Sequence, residues 1–190
     1  MRNLEMSFLT RKLRRFARDE KGTMIVDAIM VLPMFIWAYA ALFAYWDAYR
    51  TINTVQKAAY TISDLLSRTQ AEVNDTYIAG LRSTMNYLLD SDQAGDIRVT
   101  SYTWSQSRNR FEVIFSRSPG SGMTRLTTAT LANLSDRLPI MADGDSAVLV
   151  ETRVPYTPPM SFGLQPTTIE QFVVTRPRFL PKICYKNVTC

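Results

Sequence analysis

The chain has 190 residues, 46% of them hydrophobic, a net charge of +5 and no histidine. That length allows one domain, or one domain plus a membrane segment, and the missing imidazole removes the commonest general base and zinc ligand. The basic excess sits in residues 1–22, where seven basic residues face three acidic ones; a nucleic-acid binder would carry it on the folded part instead.

Read in chain order, the arginine-rich head ends at Gly22. From Ala28 to Trp46 there follow 19 residues without a charge, about 28 Å as a helix and close to the roughly 30 Å of a bilayer core. The basic head beside this run places the N-terminus in the cytoplasm and everything after Tyr49 outside. Asp27 stands at the mouth of the run, where a lone carboxylate costs a few kcal/mol if it is buried unpaired. Pro33 removes one backbone donor and tends to kink the helix. Ala40, Ala44 and Ala48 form a small-xxx-small stripe that permits close helix packing. Trp37, Tyr39, Tyr45, Trp46 and Tyr49 gather toward the outer end, as in an interfacial aromatic belt.

Three devices share a basic head and an apolar run. One is a cleaved signal peptide, for which "AYAA", Ala38 to Ala41, offers a small-x-small site. The second is an uncleaved anchor. The third is a leader trimmed off with the helix retained; neither of the first two gives Asp27 a use beyond reaching headgroup water.

Beyond Arg50 the helical period continues, with Ile52, Val55, Ala59, Ile62, Leu65 and Leu66 on one face and no glycine or proline between Pro33 and Arg68. A second helix starts at Asn74 or Asp75 and uses Ile78, Leu81, Met85, Leu88 and Leu89. "DSDQAGD", Asp90 to Asp96, breaks it, and its acids lack the spacing of a calcium loop. "IRVTSYTW" and "RFEVIFS", separated by "SQSRN", read as a hairpin. Thr127 to Leu138 reads as a short helix, and "SAVLVETRV" and "IEQFVVTR" as two further strands. The expectation is an α+β domain whose antiparallel sheet packs on a helical stalk. Cys184 and Cys190, the only cysteines, would close a small loop in an exported chain; two free thiols or half a metal site are the alternatives. No nucleophile elbow, phosphate loop or metal cluster is visible, so neither catalysis nor a cofactor is expected.

"RFARDEKGTMIVDAIMVLPMF" resembles the N-terminus of the TadE/TadF-type minor pilins (pseudopilins) of tight-adherence, type IVc, pili: an arginine-rich leader, a glycine, one apolar helix and Val31-Leu32-Pro33. "VPYTPPMSFGL", Val154 to Leu164, is similar to that family's tyrosine-proline loop, and "RPRFLPKICYKNVTC", Arg176 to Cys190, to its cysteine-bearing tail. The resemblance implies a pilin-like fold and cleavage by a prepilin peptidase between Gly22 and Thr23. It further implies that Asp27, at the fifth mature position, neutralises the new amine, commonly a neighbouring subunit's, during assembly. The family usually has glutamate there; aspartate keeps the charge but reaches one methylene less far. The implied organisation is a cytoplasmic leader (1–22), a transmembrane helix (23–50), extracytoplasmic helices (51–95) and an α+β domain with a disulfide-closed tail (96–190). The implied setting is the bacterial inner membrane, crossed once with the C-terminus periplasmic, and later the pilus at the cell surface. The implied partners are other pilin and pseudopilin subunits and the inner-membrane assembly platform, with no nucleic acid.

Overall fold

The computed structural model describes residues 22–89, 94–120 and 122–188, together with Lys12, Arg14 and Arg15. Most of the basic leader, Asp90 and Asp92 of the acidic break, and Cys190 lie outside the described residues. The architecture is α+β: a long N-terminal apolar helix followed by a small four-stranded antiparallel sheet. Contacts divide the chain into two compact units, Met1–Tyr45 and Trp46–Cys190, and the division falls inside the first helix.

Helix α1 runs from Thr23 to Ser67, 45 residues, or about 68 Å at 1.5 Å per residue. It continues through Pro33, the only residue in it without a backbone donor. Within the second unit its inward face is Val55, Ala58, Ala59, Ile62 and Leu66. Ile52 and Leu65, expected on that face, are 42% and 43% exposed. The buried stripe advances by threes and fours, which leaves Leu65 just off its edge. At the C-terminal end the carbonyl of Ser67 accepts a hydrogen bond from Arg178 N–H at 2.8 Å, and Asp64 pairs with both Arg68 and Arg178 at 2.9 Å. A remote segment therefore closes the helix end where glycine is absent.

Helix α2, Asp75–Leu89, starts where expected. Asn74 Oδ1 accepts from Tyr77 N–H at 2.8 Å, which satisfies one orphan donor of the first turn. Ile78, Leu81, Met85 and Leu89 are buried, whereas Leu88 is 37% exposed.

Strands β1 (Asp96–Ser105), β2 (Arg110–Arg117), β3 (Ser146–Tyr156) and β4 (Thr167–Thr175) form one sheet in the order β2-β1-β3-β4, antiparallel throughout. The β1–β2 hairpin carries an irregularity between Ser101 and Tyr102; its turn closes at Asn109, whose φ of 49° suits asparagine. Strand order, which local patterns do not encode, places β1 and β3 at the centre; their runs of fully buried residues follow from that.

Both sheet faces are covered. On one, Val55, Ala58, Ile62 and Leu66 of α1 and Ile78, Leu81 and Met85 of α2 share a core with Ile97, Val99, Val148, Val150 and Val154. On the other, Tyr102, Ala147 and Leu149 meet Leu126, Leu131, Leu138 and Met141. The segment expected as one helix from Thr127 to Leu138 is two pieces: α3, Thr128–Ala132, and a 3-10 turn, Ser135–Arg137. Thr127 and Thr130 cap α3 reciprocally. Tighter three-residue bonds, Leu134 N–H to Leu131 O and Leu138 N–H to Ser135 O, then take over, with Leu131 and Leu138 both turned into the core.

Candidate functional site

The sequence places its candidate functional residues on the apolar helix, and the structure shows how unusual that surface is. An amphipathic helix hides one face; among the described side chains from Ile25 to Trp37 this one hides none. Every apolar side chain described from Ile25 to Trp37 is exposed, with Ile29 at 67% and Met30 at 74%. By length and composition the helix is apolar enough to cross a membrane, and its most apolar window is not buried against the rest of the chain. Each large apolar side chain gains about 1.5–3 kcal/mol on leaving water. A surface apolar on all sides therefore favours a lipid or multi-helix surrounding.

Gly22 stands directly before the helix and is exposed. A Cβ added there would meet nothing within 4 Å, so no packing of the described chain requires glycine at this point. Thr23 is the first residue of α1. Asp27 lies in the second turn, exposed, with no ion pair to any described residue.

The alanine stripe is graded. Ala40 is half-buried, Ala44 is fully buried, and Ala48 packs against the core of the second unit. Cys184 is disulfide-bonded; its expected partner Cys190 lies outside the described residues.

Two contacts near the candidate residues join positions too far apart in sequence for any local pattern to pair. Tyr156 O–H donates to Asp47 Oδ2 at 3.0 Å, across 109 residues. Asp47 is the first charged residue after the apolar run. Tyr156, 5% exposed, has its phenol pushed up to about 12, first by burial and then by the hydrogen bond and charge of Asp47. The tail also has a second fastening besides its cysteine. Val73 N–H bonds Cys184 O at 2.9 Å and Lys186 N–H bonds Val73 O at 2.8 Å, with Val73 wholly buried.

No family model, curated protein or solved structure matches this chain. Among the described residues no group of three or more histidine, cysteine or acidic side chains stands close enough to hold a metal ion. One open depression of about 520 Å³, lined by Asp136, Arg137, Leu138, Pro139, Phe172, Val174, Thr175 and Arg176, lies over β4. Arg137 there rests on the Phe172 ring at 4.1 Å while Arg176 is held by Asp145 at 2.8 Å. The depression is shallow, and its two arginines are matched by Asp136 and by Asp145 on Arg176.

Proposed function

We propose that this chain is a minor pilin or pseudopilin of a tight-adherence pilus, inserted in the bacterial inner membrane and trimmed after Gly22. The mature helix, starting at Thr23, is then packed among other pilin helices, taking part in pilus assembly and surface adhesion. One observation carries the reading: a helix whose described side chains from Ile25 to Trp37 are all exposed begins directly after a glycine that the described fold does not need. A glycine without a role in packing is accounted for by an external reader, here a prepilin peptidase. Asp27, unpaired within the described chain, is accounted for by a cation on another subunit, because a carboxylate leaving water is tolerated only when paired.

A monomeric anchored periplasmic domain is the second reading. It is favoured by Ala48, which is partly buried against the core of its own unit and leaves less of the small-residue stripe for a neighbouring helix. The mass of the mature chain from its native host separates the readings. A start at Thr23 supports the pilin, a start at Met1 supports the plain anchor, and a start at Ala41 means a released domain.

A further inference from the structure

The loop between β3 and β4, residues 157–166, is TPPMSFGLQP, ten residues without a charge. We infer that this loop is a second membrane contact, dipping into the lipid interface beside the point where the anchor helix emerges. The inference rests on the reading of the apolar run as a membrane span.

Its position follows from one bond. Tyr156, the last residue before the loop, donates its hydroxyl to Asp47, and Asp47 directly follows Trp46, the last residue of the uncharged run. The root of the loop is thus at the level where a spanning helix leaves hydrocarbon. One turn further along, the guanidinium of Arg50 lies 5.7 Å over the Trp46 ring, an aromatic-plus-cation pairing suited to headgroups.

The loop's chemistry fits the same level. Pro158, Pro159 and Pro166 have no backbone N–H, so three donors that lipid would leave unsatisfied are absent. The loop reverses at Gly163, φ 78°, and Phe162 N–H is bonded to Met160 O at 3.1 Å. Met160 is 43% exposed, and Phe162 and Leu164 are partly exposed. The first charges beyond the loop, Arg153 and Glu170, pair with each other at 2.8 Å and stand three strand residues back from its ends, about 10 Å. An uncharged, apolar, donor-poor tip, with the nearest charges along the chain withdrawn and paired, is the composition an interface accepts. A water-exposed loop has no need of it.

Depth-dependent quenching on the full chain tests this. Phe35→Cys, Met160→Cys, Ser161→Cys and Ser107→Cys are each labelled with an environment-sensitive fluorophore and reconstituted in phosphatidylethanolamine–phosphatidylglycerol vesicles, with and without a spin-labelled lipid. Position 107 is in the β1–β2 turn, and β3 separates that end of the sheet from the loop by about 34 Å. The expected result is strong lipid quenching at 35, clear quenching at 160 and 161, and none at 107. Quenching at 35 but not at 160 or 161 overturns the loop contact and leaves the anchor intact. A label at 160 shielded from aqueous iodide yet insensitive to the lipid quencher overturns it too, in favour of protein cover. No quenching at 35 removes the span, and the loop contact with it.

Discussion

On the proposed reading Gly22 and Asp27 act outside the described fold, where a Cβ at Gly22 meets nothing and Asp27 has no ion pair to a described residue. Since a Cβ at Gly22 meets open space, Gly22→Ala should leave the folded unit unchanged and yet largely block trimming. An unchanged mature mass in that variant would count against the cleavage site. Asp27→Ala should spare membrane insertion and impair incorporation into pili; normal pili containing the variant would refute the pairing role. Two tyrosines make the opposite point. Tyr102 is wholly buried, with no hydrogen-bond partner for its hydroxyl among the described residues, so Tyr102→Phe should be close to neutral in stability at pH 7. Tyr156→Phe loses a bond to a charged acceptor and should cost roughly 1.5–3 kcal/mol, read from urea denaturation in detergent. Both phenols are pushed up to about 12, Tyr102 by burial against a smaller opposing pull from Arg176. The folded state therefore holds these protons more tightly than the unfolded chain does. Their contribution is intact below pH 10.0 and is lost as pH rises through about 12. Either Phe variant should shrink that alkaline loss, and an unchanged alkaline profile in both would contradict it.

At the scale of the element, periodicity located both long helices and all four strands, because a helix face and a strand face are written in neighbouring residues. Where an element's end is set by something distant, local reading stopped short. Ser67 ends α1 against Arg178, and the Thr127–Leu138 segment splits so that Leu131 and Leu138 can both reach the sheet. Two glycines make this measurable. Gly80 sits inside α2 with nothing within 4 Å of an added Cβ, so Gly80→Ala should stabilise by about 0.5–1 kcal/mol through helix propensity. At Gly122 an added Cβ would overlap the Asp96 carboxylate, which is held by Arg82 at 2.7 Å. The carboxylate must move, which disturbs that pair, so Gly122→Ala should cost up to about 1 kcal/mol. Thermal denaturation of the two variants should move in opposite directions.

At the scale of the whole molecule, Trp46–Cys190 is a compact unit and contains the Trp46–Ser67 part of α1 whose Val55, Ala58, Ile62 and Leu66 belong to its core. A chain beginning at Trp46 should fold and stay soluble without detergent. One beginning at Thr69 should not, because removing four buried side chains from one core opens more cavity than a small domain tolerates. Circular dichroism and urea titration of the two chains decide it, and a cooperative transition in the shorter one would contradict the shared core.

The sequence by itself determined the apolar run, the uneven charge, the glycine before the helix and the α+β order of elements, since each is a property of residues adjacent in the chain. The tertiary structure alone decided the strand order β2-β1-β3-β4, the Asp47–Tyr156 bond across 109 residues and the fastening of the tail to Val73. It also set Ala48 against the core of the second unit. Those features depend on which distant segments meet, and a period of 2 or 3.6 residues specifies which side of an element is apolar but not what will cover it.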